Sequence, residues 1–488
     1  MPNNTSTARG RRAPKGVFRR LVRTIFRFFP VMLPLTLVCI IINAVVSSMP
    51  SVFMQNVIAV VEDTFQTGDW ASASGRIFSL LGILIAMYIV SLIAGVLYTQ
   101  MMATITQGTL AKLREKMFDH MQDLPIRYFD THNHGDIMSY YTNDIDTLRQ
   151  MISQSFPQTL ISAITLLTVF GIMVYYSIWL ALVVVAGVII MFFVTRYVSG
   201  HSSRYFLKQQ EAIARTEGFM EEMMNGQKVI KVFCHEEGAK EDFDKVNDEL
   251  FGNAEKAHRY ANILMPLLAN IGNVMYVIVA LVGGALLLNG APNFSISGMA
   301  FSISIVVPFL NMTKQFAGAI GQVSNQVNMV VMGLAGAHRI FALLDEEPET
   351  DDGYVTLVNA RENADGTLEE YPERTNVWAW KHPHHDGTVT YTRMRGDVRF
   401  YDVDFAYEPG KTVLHNISLY AKPGQKVAFV GSTGAGKTTI TNLINRFYDI
   451  ADGKIRYDDI NINKIKKADL RHSLGIVLQD TNLFTGTV

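Results

Sequence analysis

A glycine-rich segment near the carboxyl end carries the clearest chemical signal in the sequence. It reads Gly431-Ser-Thr-Gly-Ala-Gly-Lys-Thr438 and matches the pattern GxxxxGK[ST]. The apolar run Lys426–Val430 before it predicts a short β-strand, and the apolar spacing after it predicts a helix. The helix face consists of Ile440, Leu443, Ile444 and Phe447. Strand, glycine loop and helix in this order are the context of a phosphate-binding loop.

The residue types in this loop explain how it would hold phosphate. Glycines let the backbone curl so that its N–H groups face the phosphate oxygens, and the helix N-terminus favours negative charge. Lys437 is expected to neutralise the β- and γ-phosphates, and the Thr438 hydroxyl to bind Mg²⁺. The predicted nucleotide-binding residues are Gly431, Ser432, Thr433, Gly434, Ala435, Gly436, Lys437, Thr438 and Thr439.

The composition indicates a membrane protein with an attached soluble domain. Of 488 residues, 49% are hydrophobic and 18% are charged, which is more apolar than is usual for a soluble chain of this length. The long apolar runs lie between Phe28 and about Gln326, and the last hundred or so residues read as a soluble domain. A net charge of −1 gives no indication of a nucleic-acid partner. The two cysteines form neither a disulfide framework nor a CxxC metal pattern.

Six apolar segments are long enough to cross a bilayer as helices. They are Phe29–Val61, Ile77–Thr106, Gln158–Tyr176, Ile178–Val198, Ile263–Leu288 and Met299–Val323. We therefore expect an α-helical membrane domain of six transmembrane helices over residues 29–330. A polar linker over residues 331–396 would follow, and then part of an α/β P-loop domain with an antiparallel β subdomain over residues 397–488.

The charges between the segments predict their orientation. The connections 62–75 and 289–298 contain no Lys or Arg, whereas ten basic residues lie between Arg196 and Arg259. Because positively charged loops stay in the cytoplasm, both termini are expected to be cytoplasmic.

The basic segment 1–28 is expected to be a cytoplasmic flank, with an Arg-rich organellar transit peptide as the alternative. Its apolar residues lie at helical spacing among arginines, which is typical of a helix lying on a membrane surface. They are Phe18, Leu21, Val22, Ile25 and Phe26.

Helical periodicity continues beyond the second apolar segment. Leu110, Leu113, Met117, Met121 and Leu124 follow at spacings of three and four residues. The second membrane helix should therefore extend into the cytoplasm and end before Pro125, with a compact turn over Ile126–Asp136. The alternative is a solvated loop.

The chain resembles the ABC exporters of the multidrug and lipid type, and the resemblance extends over nearly the whole chain from about Arg19. Beyond the phosphate-binding loop, it rests on the order and spacing of several segments. They are Val398–Tyr407, Leu414–Leu419, Lys422–Gln425, the Q-loop-like Leu470–Asp480 with Leu483–Thr487, and the cytoplasmic segments Tyr128–Asp136 and Gly226–Phe233. The last two are similar to regions that dock on the nucleotide-binding domains.

The resemblance implies roles for two more residues. Tyr407 falls where the family has an aromatic that stacks on adenine. Gln479 would lie near the γ-phosphate and Mg²⁺ as a catalytic and sensing residue, although a residue directly after an apolar strand could instead be a strand-end cap.

The resemblance also implies an activity. It is ATP- and Mg²⁺-dependent export of a small amphipathic drug or lipid by alternating access, in the plasma membrane, as a homo- or heterodimer with a second half-transporter. An ATP-gated channel or regulatory protein of the same architecture is the alternative, and a membrane protein with an unrelated P-loop module is another.

The sequence departs from the family pattern at its end. The acidic Walker B strand, the catalytic glutamate and the signature motif lie further along in the family than Val488. We therefore expect this chain to be part of a longer protein, and not to hydrolyse ATP efficiently by itself.

Two polar features invite further hypotheses. His382, His384 and His385 in the predicted linker are a polar loop or a weak metal site, and Trp378 and Trp380 are expected to attach this linker to the nucleotide domain. Lys314 lies within the sixth apolar segment. It would line a substrate pathway, or else pair with another helix or extend to the membrane surface.

Overall fold

The computed structural model describes residues 16–65, 68, 70–408, 410–477 and 486. The chain forms two compact units. The first, the membrane unit, comprises residues up to Arg114 and Tyr140–Phe341. The second, the nucleotide unit, comprises Glu115–Ser139 and the residues from Ala342 onward.

Long helices dominate the first part of the chain. Their bounds are α1 Val17–Phe28, α2 Met32–Val46, α3 Pro50–Phe65, α4 Trp70–Gln122, α5 Ile126–Thr131, α6 His134–Ser139, α7 Ile145–Gln150, α8 Phe156–Tyr176, α9 Ile178–Asn225, α10 Gln227–Val232, α11 Glu236–Leu288 and α12 Ile303–Leu344. Two π-helical turns, Tyr140–Asp144 and Met151–Ser155, join α6, α7 and α8 into one rod. Within the described residues, six helical segments are long and apolar enough to cross a membrane, as predicted.

Helix α1 is amphipathic. Its buried side chains Val17, Leu21 and Ile25 recur every four residues, and Phe18 lies 6.3 Å from Phe156 between ring centroids. Phe26, on another face, is 49% exposed. The predicted helix therefore forms, and it rests one face on the membrane unit.

The first membrane span is interrupted, whereas the sequence predicted a continuous helix over Phe29–Val61. Helix α2 ends at Val46 and α3 begins at Pro50. Proline lacks a backbone N–H and is favoured in the first turn of a helix, so Pro50 starts a new helix. The amides of Ser47, Ser48 and Met49 still bond to carbonyls of α2, at 3.0–3.1 Å.

The predicted extension of α4 beyond its apolar segment is confirmed. The helix continues to Gln122, and α5 begins directly after Pro125. Likewise, α9 continues from the membrane segment as far as Asn225, and a single residue, Ser177, separates it from α8.

Helices α8, α9, α11 and α12 share one core. It contains Met173, Val184, Leu268, Met275 and Phe309, all at most 3% exposed. A Cβ on Gly187 of α9 would lie 2.3 Å from the Met275 sulfur on α11. Glycine therefore lets these two helices approach closely, as small residues do in membrane bundles.

The nucleotide unit contains two four-stranded antiparallel sheets, with orders β2-β1-β3-β4 and β6-β5-β7-β8. The strands are β1 Thr356–Glu362, β2 Leu368–Glu370, β3 Trp378–Pro383, β4 Val389–Arg393, β5 Val398–Glu408, β6 Lys411–Ala421, β7 Asp452–Tyr457 and β8 Ile460–Asn461. Helices α13 Lys437–Ile444 and α14 Lys467–His472 complete it. The six-helix membrane region and the antiparallel β subdomain agree with the predicted fold class.

The segment 331–396 is not the linker that its polarity suggested. Its first part belongs to α12, and β1–β4 with the turns that join them extend from Thr356 to Arg393. Trp380 on β3 explains why this sheet is ordered. It is fully buried, its ring meets Tyr457 edge-on, and its Nε1 donates to Asp458 Oδ2 at 3.0 Å. The prediction that Trp380 attaches the segment to the nucleotide domain is therefore confirmed.

The run Lys426–Val430 does not form the predicted strand. It pairs with no strand among the described residues, and Val430 is 95% exposed. A strand is stabilised by hydrogen bonds to a neighbouring strand, so an apolar run that lacks such a neighbour stays irregular.

Candidate nucleotide-binding site

The glycine loop leads directly into α13, as the sequence predicts. Gly436 is the residue before the helix, with φ +85°, and Gly434 has φ +86°. A Cβ on Gly436 would lie 2.6 Å from Leu414 Cδ2. Both the backbone conformation and the available space therefore require glycine at position 436. The loop residues 431–435 are exposed, so their backbone is accessible to a ligand.

Lys437 folds back over the loop. Its Nζ donates to the carbonyl oxygens of Gly431 and Ser432, both at 2.8 Å. An ammonium group has three donors, so one remains for a phosphate oxygen. Thr438 follows in the first turn of α13 and is exposed, which leaves its side chain within reach of solvent. The loop and these two residues fit a nucleotide with Mg²⁺.

Tyr407 on β5 lies beside the start of α13. Its hydroxyl donates to Thr439 Oγ1 at 3.1 Å, and its ring meets Phe405 and Tyr448 edge-on, both at 4.9 Å between centroids. The structure thus brings Tyr407 next to Thr439 in the first turn of α13. Stacking on adenine stays a prediction, and Gln479 lies outside the described residues.

A network of charged side chains supports the segment after α13. The Arg446 side chain is 5% exposed, donates to Ile465 O at 2.8 Å and to Asp449 Oδ1 at 2.7 Å, and reaches Asp351. Arg471 forms a two-pronged bond to Glu349, at 2.7 and 2.9 Å. Burial alone would raise the pKa of Glu349, but hydrogen bonds and charge from Arg471 and Lys467 outweigh it, so the pKa lies below its usual value.

Sequence reasoning missed this network. The separation of three residues between Arg446 and Asp449 is a weak local signal, because many surface pairs share it. The contacts to Glu349 and Asp351 join residues about a hundred positions apart, which no local pattern reveals.

The carboxyl-terminal end of α4 belongs to the same unit. The Tyr448 hydroxyl donates to an oxygen of Asp130 in α5. Further along the chain, the Glu349 amide donates to Asp123 O at 2.7 Å, and His120 Nε2 lies 3.0 Å from Glu346 O. Burial and the neighbouring Asp130 raise the pKa of Tyr448, so the hydroxyl keeps its proton at neutral pH.

The docking region predicted over Tyr128–Asp136 thus forms part of the nucleotide unit, and its Asp130 accepts a hydrogen bond from Tyr448. The second predicted region, Gly226–Phe233, contains α10 of the membrane unit, and its docking stays a prediction.

The histidines of the β1–β4 region do not form a metal site within the described residues, where no group of three or more ligand-type side chains comes together. The His382 and His384 rings lie 4.4 Å apart, but His384 Nε2 is 2.8 Å from Thr390 Oγ1. These contacts are those of polar side chains on a sheet surface.

Comparison with known proteins extends these findings to the whole chain. The model of the ABC transporter transmembrane region matches residues 33–309, and the ABC transporter model, which includes the glycine loop, matches residues 414–488. The chain belongs to the ABC transporter family. It joins the membrane and ATP-binding regions in one polypeptide, as exporter-type half-transporters do, and it is a multi-pass membrane protein.

Several relatives of this ABC transporter have the same arrangement. The uncharacterized ABC transporter ATP-binding protein YfiC of Bacillus subtilis is 31% identical over 93% of this chain and 68% of its own length. A fatty acid ABC transporter ATP-binding/permease protein of Mycobacterium bovis is 32% identical over 84% of this chain and 58% of its own length. A probable multidrug resistance ABC transporter of Bacillus subtilis is 28% identical over 78% of this chain and 50% of its own length. The chain therefore spans between half and about two thirds of these relatives.

Proposed function

We propose that the protein is an ATP-driven exporter of small amphipathic molecules, drugs or lipids. It would work by alternating access as a dimer with a second half-transporter, which is either a copy of itself or a related chain. We place it in the plasma membrane with both termini in the cytoplasm, because its basic connections lie between the second and third and between the fourth and fifth membrane helices. The names of the mycobacterial and Bacillus relatives, a fatty acid transporter and a multidrug resistance transporter, support this class of substrate.

One set of contacts supports the coupling of nucleotide binding to a membrane helix. Thr439 in α13 accepts from Tyr407, the Tyr407 ring meets Tyr448, and Tyr448 bonds Asp130 beside the end of α4. Helix α4 is continuous from Trp70 to Gln122. A shift of α13 when nucleotide binds would therefore act, through two tyrosines, on the cytoplasmic end of a helix that crosses the membrane.

Different residues of this chain would bind different parts of the nucleotide. Lys437 and the loop amides would bind the phosphates, and Thr438 would hold Mg²⁺. When bound, Mg²⁺ would offset negative charge on the transferred phosphoryl group. Tyr407 would position the base, and Gln479 would contact the γ-phosphate region.

The test compares two lysine variants of the full-length protein in inside-out vesicles. Lys437→Ala should abolish ATP-dependent uptake of an amphipathic dye without reducing membrane insertion. Lys411→Ala removes an exposed lysine that pairs with Glu408 at 3.2 Å, and it should leave uptake unchanged. Normal uptake by Lys437→Ala would refute the proposed role of the loop. If ATP speeds dye entry but the dye concentration inside the vesicles never rises above that outside, the result would instead indicate the channel alternative.

A further inference from the structure

Helix α12 carries a polar face within the membrane. Asn311, Lys314, Gly318 and Gln322 follow at spacings of three and four residues and are all exposed. Helix α12 begins at Ile303. At a rise of 1.5 Å per residue, Lys314 lies roughly 16 Å along it, about the middle of a ~30 Å hydrocarbon core.

Lys314 has no acidic counterpart in the membrane segments. Residues 32–61, 77–106, 158–198, 263–288 and 299–323 contain no Asp or Glu. The partner of Lys314 is the face of an aromatic ring, since its Nζ lies 4.7 Å from the centroid of Tyr276 on α11. A cation–π contact orients the ammonium but leaves its positive charge uncompensated.

Other residues of α12 near Lys314 in the sequence make polar contacts. Gln315 Nε2 donates to Ser47 O, at the break between α2 and α3, at 3.0 Å. A cavity of about 220 Å³ is lined by Gly318 and Gln322 of this face, together with Gln315 and Ser162. Gln322 accepts from Gln158 at 2.6 Å. Because a charged side chain facing hydrocarbon is costly, this polar face points to a space that admits water and polar ligands.

From this arrangement we propose that Lys314, held by Tyr276, is a binding site for the anionic head group of an amphiphile. The head group would be a carboxylate or phosphate, and the alkyl chain would lie along the apolar helices. This inference rests on the proposed export function and names its class of substrate. The Lys314 cation selects against cationic amphiphiles, because two positive charges at membrane depth repel each other strongly.

The experiment measures equilibrium binding to the full-length protein in phosphatidylcholine nanodiscs without nucleotide. The probes share one chain length and differ in head group: dodecanoate, dodecyl phosphate, dodecanol and dodecylamine. The wild type should bind both anions more tightly than the alcohol or the amine. Lys314→Gln should weaken binding of both anions about 10- to 100-fold, the range expected for loss of a charged hydrogen bond. It should leave dodecanol unchanged, and Lys314→Arg should retain most of the anion affinity.

A matched control is Lys112→Gln, since Lys112 also lies over aromatic rings, at 4.9 Å from Phe28 and 5.1 Å from Phe29. It should bind both anions like the wild type. Unchanged dodecanoate and dodecyl phosphate binding in Lys314→Gln would overturn the proposal, as would preference of the wild type for dodecylamine.

Two further measurements identify the source of the anion and separate this proposal from the transport function. Replacing part of the phosphatidylcholine with phosphatidylglycerol should displace dodecanoate if bilayer lipid occupies the site, and should have no effect if the site takes free amphiphiles. Both results support an anion site. Lys437→Ala should bind dodecanoate normally. A wild type that binds dodecanoate but does not transport it with ATP would count against the transport function alone.

Discussion

Alanine substitutions at Gly434 and Gly436 distinguish two energetic costs, that of a strained backbone conformation and that of a clash between side chains. Gly434 and Gly436 have φ of +86° and +85°, so both variants bear the cost of a left-handed conformation, about 1–2 kcal/mol. A Cβ on Gly434 meets nothing within 4 Å, whereas one on Gly436 would lie 2.6 Å from Leu414 Cδ2. Leu414 is 2% exposed, so it cannot move into solvent, and such overpacking costs roughly 1–3 kcal/mol more.

We therefore expect Gly434→Ala to lower the stability of the loop and α13 by about 1–2 kcal/mol, and Gly436→Ala by about 2–5 kcal/mol. Native-state hydrogen exchange of the α13 amides, in nucleotide-free full-length protein, measures both changes. The double variant Gly436→Ala/Leu414→Ala should lose less than the sum of the two single losses, because the shortened side chain removes the conflict. Equal losses for the two glycine variants, or strict additivity in the double variant, would refute this reasoning.

Two further predictions concern the nucleotide unit. Tyr448→Phe keeps the ring contacts but removes the hydrogen bond to Asp130. A double-mutant cycle with Asp130→Ala should give a coupling of about 0.5–1.5 kcal/mol in amide protection of α5, and additive losses would contradict the contact. Glu349 has a pKa below its unfolded value of 4.5 because its bonds to Arg471 outweigh burial, so its stabilising effect is present above pH 4.5 and lost as the pH falls below it. Denaturant unfolding from pH 6 to pH 3 should therefore show less acid sensitivity in Glu349→Gln than in the wild type. Glu408→Gln, which changes an exposed ion pair, should match the wild type, and equal acid sensitivity in all three proteins would exclude the proposed role of Glu349.

Local sequence patterns were sufficient to predict the extension of α4 and the glycine loop before α13. The apolar spacing from Leu110 to Leu124, followed by Pro125, predicts an extended α4 because both signals act within a few residues. The order of glycines before Lys437 likewise predicts a loop that leads into a helix. Pro50 carried a signal for the break between α2 and α3, but the apolar run around it outweighed that signal in the prediction.

The remaining features depend on residues far apart in the sequence. The segment 331–396 is polar, so its composition resembles a linker, and β1–β4 are ordered in part because Trp380 is buried beside Asp458. The contacts of Arg446 with Asp351 and Ile465 likewise require a folded chain. Lys426–Val430 shows the converse, because this favourable strand sequence stays irregular and pairs with no strand among the described residues.

The bond between Asp130 and Tyr448 also has a consequence for biosynthesis, because 318 positions separate its partners. At a synthesis rate of about 5–20 residues per second, Tyr448 emerges roughly 16–64 s after Asp130. During this interval helices α8, α9, α11 and α12 can insert and assemble, while α5 has no partner at Tyr448. Bonding of α5 to Tyr448 is therefore a late step of maturation, and the nascent protein spends that time with this turn available to chaperones.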